Sequence, residues 1–428
     1  SLGRIASLAL PALVVLAAEP IYLLVDTAVV GHLGGTALAS LAAGGGILAF
    51  AAWLGNVLAY GTTSRSARLY GAGRRSEAVA EGVQASWLAL AAGVLMALAA
   101  QLFALPMVEL LAGPGEVADG AAEWLRVASL GAPGILLTLA GNGWMRGVQD
   151  TRRPVVYALG ANALSAALCP LLVYQAGWGL TGSAVANVVA QTLSGALFVR
   201  ALLAERITLA PHPGRLLRQL TLNRDLFIRG AFFQVGFLAA IGIAGRFGPV
   251  TLSAYQITFQ LWMFSVFVLD AVAIAAQSLV GADLGAGHSA AARRTAWRIA
   301  RVGTVCGLIL ALFFAVSYGW LPELFTSEAV VVAETGIAWP WFVAVLPLGG
   351  AVFALDGVLV GAGDIRFMRN MTIVASAGVF LPAMAVTVAL DLGIAGIWGG
   401  LGLFMAVRLA TLLGRMISGR WAVAGVAR

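Results

Sequence analysis

The chain has 428 residues, of which 61% are hydrophobic and 11% charged, with 53 glycines and a mean hydropathy of +0.93. That composition excludes a water-soluble domain of this length and describes a membrane protein. The net charge of +7 comes entirely from arginine, with no lysine, and its placement reads as membrane topology and attraction to anionic lipid rather than as a nucleic-acid footprint.

A membrane-spanning helix needs about 20 mostly apolar residues. In chain order such runs fall near 8–31, 37–60, 79–104, 121–144, 154–175 and 180–203. A polar, basic connection comes next at 204–222, and six further runs lie near 228–245, 250–281, 296–318, 332–360, 371–390 and 393–414. The two series are copies of each other. Adding 214 carries Gly31-His32-Leu33-Gly34 onto Gly245-Arg246-Phe247-Gly248, and Gly71-Ala72-Gly73 onto Gly285-Ala286-Gly287. The same step carries Pro133 onto Pro347, Asp150-Thr151-Arg152 onto Asp364-Ile365-Arg366, and Gly179 and Gly182 onto Gly393 and Gly396. The chain is a tandem duplication.

The expected fold is therefore an all-α membrane protein with twelve transmembrane helices in two six-helix lobes. These are residues 1–203 and 223–428, joined by a cytoplasmic linker at 204–222. Six helices per lobe is an even number, so both repeats enter from the same side and are related by a pseudo-two-fold axis along the membrane normal. Positive residues collect in short cytoplasmic loops. With both termini cytoplasmic, the inner loops hold Arg65, Arg68, Arg74 and Arg75, then Arg146, Arg152 and Arg153, with Arg293, Arg294, Arg366 and Arg415 in the second half. The outer loops hold Glu109, Glu116, Asp119, Glu323, Glu328 and Asp391, with Arg126 and Arg246 as the exceptions. The first apolar segment is long and has no convincing cleavage site, and a native start ahead of Ser1 is expected.

Two lobes around a cleft suit alternating access, so function is sought among polar groups inside the spans, where an ionised carboxylate costs about 2.5–3.5 kcal/mol. Four acids qualify: Glu19, Asp26, Asp270 and Asp356. Glu19 and Asp26 are two helical turns apart on one face and could share a polar cavity. A carboxyl that binds either a proton or a cationic substrate makes the two compete, which is a sufficient basis for antiport. For Asp26 the alternative is a hydrogen bond that merely braces two helices. Asp356 stands one repeat beyond Asn142, and Gln277 stands seven residues beyond Asp270, where a polar clamp between helices is the competing role. Cys169 and Cys306 lie in separate spans and suggest neither a disulfide nor a metal site.

The run Glu19-Pro20-Ile21-Tyr22-Leu23-Leu24-Val25-Asp26-Thr27-Ala28-Val29-Val30-Gly31-His32-Leu33-Gly34 resembles the first helix of the multidrug and toxic-compound extrusion (MATE) family, DinF-type subgroup. Arg146-Gly147-Val148-Gln149-Asp150-Thr151-Arg152 is similar to that family's loop after the fourth helix, and Leu222-Asn223-Arg224-Asp225 to the start of the seventh. Leu355-Asp356-Gly357 through Gly361-Ala362 is similar to the tenth helix, a match that Met368-Arg369-Asn370 completes. The resemblance implies a two-lobed exporter of cationic or amphipathic organic compounds, driven by inward flow of protons or, alternatively, sodium, with no cofactor. It implies a monomer in the inner (plasma) membrane whose partners are its substrate and the membrane lipids.

Under this resemblance Asp26 is the ion-coupling carboxylate, assisted by Glu19 and Asn162, and Pro11 is the helix-bending proline. The acidic residue usual four places after Asn162 is Ala166 here, which weakens the sodium reading. Candidates for the substrate cavity are Asp356, Asn142, Asp270, Gln277, Asn187 and Tyr22. A lipid-precursor flippase of the same superfamily is expected to line its cleft with cationic side chains, whereas the interior charges singled out here are acidic.

Overall fold

The computed structural model describes residues 2–426, apart from the side chain of Glu19. Among the described residues, twelve helices are long and apolar enough to cross a membrane. They are α1 (Leu2–Gly31), α2 (Gly35–Gly71), α3 (Arg75–Ala112), α4 (Glu116–Gly147), α5 (Arg152–Gln175) and α6 (Gly179–Ala204), then α7 (Pro213–Arg246), α8 (Pro249–Gly285), α9 (Ser289–Ser317), α10 (Ala329–Gly361), α11 (Ile365–Ala389) and α12 (Gly393–Ser418). The protein is a multi-pass helical membrane protein.

Several helices outrun their apolar stretches, and polar side chains there find their partners on helix carbonyls. In α2, expected over 37–60, Thr62 donates to the Leu58 carbonyl at 2.7 Å, and Thr63 donates to Ala59 and across to Gly143, both at 2.9 Å. The irregular turns sit beside prolines. Ser129–Gly131 tightens to a 3₁₀ turn inside α4 just ahead of Pro133, which cannot donate to the Ser129 carbonyl. Leu171–Gln175 and Ser376–Phe380 widen to π turns next to Pro170 and Pro382.

The chain divides into two compact units, Leu10–Asn223 and Arg224–Arg428, the latter together with Ser1–Ala9. The division falls inside α1, just ahead of Pro11. Each unit repeats the other's helix contacts in the 214-residue register. A Cβ on Gly93 of α3 would sit 2.4 Å from the Pro133 Cα of α4, and one on Gly307 of α9 would sit 2.9 Å from the Pro347 Cα of α10. Gly143 meets the Ala59 carbonyl oxygen at 2.8 Å by the same measure, and Gly357 meets that of Ala273 at 2.3 Å. Small residues let backbones touch, and close van der Waals contact replaces the hydrophobic drive that lipid does not supply. The left-handed turn after α4 also repeats, with Gln149 at φ 60° and Gly363 at φ 71°.

Residues 204–222 belong to the first unit, and their second half is already helical, because α7 begins at Pro213. Helix α3 fastens this segment. Trp87 Nε1 donates to the Leu209 carbonyl at 2.8 Å, Gln84 Nε2 donates to Ala210 at 3.1 Å, and the His212 amide donates to Gln84 Oε1 at 2.8 Å. Gln219 Nε2 donates to the Glu81 carboxylate at 2.8 Å, and Glu81 also accepts from Arg65 at 2.9 and 3.0 Å. At the end of α6, Glu205 takes a forked pair of hydrogen bonds from Arg75, which hold its carboxyl below the usual glutamate range.

Candidate functional site

Asp26 lies on α1 and is 2% exposed. Its Oδ1 accepts from Ser183 Oγ at 2.7 Å and from Cys169 Sγ at 3.1 Å, so α6 and α5 both supply donors, and both donors are neutral. Trp124 Nε1 donates to Ser183 Oγ at 3.3 Å, which ties α4 into the same network. Tyr22 precedes Asp26 by one helical turn, and its hydroxyl lies against Asp26, Ser165 and Asn187. The Tyr22 hydroxyl, Ser165 Oγ and Asn187 Oδ1 are buried without a hydrogen-bond partner.

Asp26, Tyr22 and Asn187 border a chamber of about 260 Å³, with Thr27 and Gln191 completing its polar lining and Trp124 and Leu41 among its apolar walls. A few polar groups on an aromatic and aliphatic surface make a chamber suited to an amphipathic compound. Three of the expected residues, Asp26, Tyr22 and Asn187, are thus brought together. Asn162 does not line the chamber; it is half-buried, and its Nδ2 donates to the Ala158 carbonyl of its own helix at 2.9 Å. The Glu19 side chain lies outside the described residues.

The second unit is electrostatically different. Asp356 on α10 is 7% exposed, and its carboxylate is held between two arginines. Arg229 Nη2 of α7 reaches Oδ2 at 2.6 Å, and Arg408 Nη2 of α12 reaches Oδ1 at 2.7 Å. Phe233 sits beneath both guanidinium groups, 5.1 Å from Arg229 and 4.9 Å from Arg408. The expectation that interior charges are acidic is therefore corrected. Arg408 is 3% exposed, and Arg229 retains 15% of its side-chain surface. The signal for Arg229 and Arg408 was present in the sequence, since both stand inside apolar runs where a cation is costly.

The remaining candidates lie apart from the chamber. Asn142 of α4 is 1% exposed and Gln277 of α8 is 3% exposed, each with its amide oxygen buried and without a hydrogen-bond partner. Asp270 is half-buried on α8. The Gln277 backbone is where Gly361 packs, a Cβ there meeting its carbonyl oxygen at 2.6 Å, so this stretch of α8 is also a helix contact. Residue patterns did not single out Ser183, Cys169, Ser165 or Trp124. Serines are common in membrane helices, and only the fold brings α4, α5 and α6 against Asp26.

Comparison with known proteins agrees with this architecture. The family model described as MatE matches residues 11–171 and 226–389, one stretch in each unit. Protein DETOXIFICATION 44, chloroplastic, of Arabidopsis thaliana is 32% identical, over 98% of this chain and 81% of the relative. DNA damage-inducible protein F of Escherichia coli (strain K12) is 30% identical, over 94% of this chain and 89% of the relative. A crystal structure of MATE in the bent conformation shares the fold with a TM-score of 0.87 at 20% identity, covering 98% of this chain and 95% of that one.

Proposed function

We infer that this chain, which belongs to the MATE family of multidrug and toxin extrusion transporters, exports cationic or amphipathic organic compounds in exchange for protons bound at Asp26. The observation that carries this reading is the contrast between two buried carboxyls. Asp356 is already balanced by two arginines, whereas Asp26 borders a 260 Å³ chamber and its hydrogen bonds come from neutral donors. Asp26 is therefore the carboxyl with room for a new positive charge. A proton on Asp26 removes the charge that holds an organic cation, and an organic cation on Asp26 displaces the proton; each ligand's arrival expels the other. Ser183 and Cys169 orient the carboxyl, and Trp124 supplies an aromatic wall for the substrate.

Bending of α1 at Pro11, where an amide donor is missing, gives the helix a low-energy way to answer the charge on Asp26. The clustering of arginine at loop ends supports a reading with both termini in the cytoplasm, and a monomer in the plasma membrane is part of the same proposal. Sodium is the second reading, favoured by one observation: the Tyr22 hydroxyl, Ser165 Oγ and Asn187 Oδ1 are unpartnered oxygens beside Asp26, and a sodium ion wants several such ligands.

Adding tetraphenylphosphonium to purified protein in weakly buffered solution tests the proton reading. Protons should be released in proportion to binding, and Asp26→Asn should release none. Binding without proton release, or equal release by the variant, overturns it.

A further inference from the structure

The first unit holds another cavity, of about 170 Å³, where the linker crosses α3. Trp87 and Leu90 of α3, Leu137 of α4, Val199 and Leu202 of α6 and Leu209 of the linker wall it. Its polar groups are already paired: Ser86 Oγ donates to the Gly82 carbonyl at 2.7 Å, and Trp87 Nε1 to that of Leu209 at 2.8 Å. What the cavity offers a guest is therefore hydrocarbon. An apolar cavity of about 150 Å³ is enough to take up benzene, so this one has room for a run of acyl chain.

The second unit fills the corresponding place with its own chain. In the 214-residue register Leu202 becomes Met416, and Ile207 of the linker becomes Trp421. Trp421 is fully buried, and its Nε1 donates to the Met416 carbonyl at 3.3 Å. The tail after the last helix thus brings an indole against the counterpart of a cavity wall, whereas the linker carries a half-buried isoleucine there and leaves the space open.

The surroundings say what enters. Trp87, Leu90 and Leu203 are exposed on spanning helices, so the cavity adjoins surface that faces lipid. Tryptophan favours the level where acyl chains meet headgroups, and Trp87 is bonded there to the polar linker. Four arginines stand at this end of the unit. Arg75 and Arg153 are both engaged by Glu205, whereas Arg200 and Arg206 are exposed and have no ion pair among the described residues. Arg206 holds φ 52° in the turn that brings Leu209 back over α3, so a free cation sits three residues from the cavity wall.

We propose that this cavity is a binding site for an anionic phospholipid, one acyl chain lying under Leu209 against Trp87 and Val199 and the headgroup phosphate meeting Arg206. The bound chain completes the packing between the linker and α3, α4 and α6, as Trp421 does in the second unit. The proposal is independent of transport and of the ion that Asp26 couples to.

Native mass spectrometry of the full chain, delipidated in a neutral detergent, measures the affinity of the first lipid bound from dioleoylphosphatidylglycerol or dioleoylphosphatidylcholine, which share their acyl chains. Phosphatidylglycerol should bind at least about fivefold more tightly, the effect of one arginine beside an anionic headgroup. Arg206→Gln should lose most of that preference, and Arg206→Lys should keep it. Val199→Trp, which fills the cavity, should weaken phosphatidylglycerol binding on the order of tenfold, as expected when about two methylenes stay unburied. Leu90→Trp, at an exposed position, makes the same test where Val199→Trp does not fold. Glycerophosphoglycerol, the headgroup without chains, should not compete. Equal affinity for the two lipids in the parent, an undiminished preference in Arg206→Gln, undiminished binding in the folded filled variant, or competition by the bare headgroup overturns the proposal; the first comparison needs no variant.

Discussion

Two aspartates at comparable burial, Asp26 at 2% and Asp356 at 7% exposed, have opposite electrostatic company. Neighbours, not depth, set them apart: Asp26 accepts from the neutral donors Ser183 and Cys169, whereas Asp356 accepts from the cationic Arg229 and Arg408. The same dependence on detail appears in the backbone at Gln149. It holds φ 60°, a left-handed conformation costing a side-chain-bearing residue about 1–2 kcal/mol, while its repeat partner at φ 71° is Gly363. Gln149→Gly should therefore raise stability by about 0.5–1 kcal/mol after the greater freedom of the unfolded glycine is subtracted. A higher melting temperature is the expected readout, and a lower one would mean that the side chain's contacts outweigh the relieved strain.

Among the elements, α1 and the segment after α6 carry the mechanical predictions. Pro11 sits immediately past the point where α1 passes from one compact unit to the other. Pro11→Ala restores an amide donor and stiffens the helix, so turnover should fall severalfold while substrate affinity changes little. A variant with unchanged transport rates would remove helix bending from the mechanism. The segment at 204–222 is strapped to α3 and closed by the Arg75 pair to Glu205. Because Arg75 lowers the Glu205 pKa, the pair's contribution is present above the unfolded-state value of about 4.3 and is lost as pH falls through the lower folded value. Melting temperature measured from pH 7 down to pH 3 should drop more steeply for the parent than for Glu205→Gln, with the two curves converging at the acid end. Parallel curves would show that the pair adds nothing, as happens with many exposed ion pairs.

For the whole molecule, the duplication was legible chiefly at turns that need glycine, Gly34 and Gly248 at φ 124° and 114°, Gly73 and Gly287 at φ 76° and 83°, and Gly179 and Gly393 at φ 55° and 60°, and the helix contacts repeat with it. Gly93 and Gly307 meet Pro133 and Pro347, Gly143 and Gly357 meet Ala59 and Ala273, and a side chain at any of them would collide with backbone. Twelve spans and the burial of Asp26 were legible for a related reason, since lipid penalises charge within an apolar run. The company of Asp26 was not legible, because Ser183 and Cys169 are separated from it by 157 and 143 residues and carry no spacing signal. Arg229 and Arg408 were legible one by one as cations inside apolar runs, but their meeting at Asp356 was not, because they stand 127 and 52 residues from it on other helices. The most direct test of coupling through Asp26 is uptake of a fluorescent organic cation into proteoliposomes under an imposed proton gradient or an imposed sodium gradient, with Asp26→Asn alongside. Uptake driven by the proton gradient alone, and lost in Asp26→Asn although the variant inserts normally, is the predicted result; uptake driven by sodium alone, or full proton-driven uptake by the variant, would contradict it.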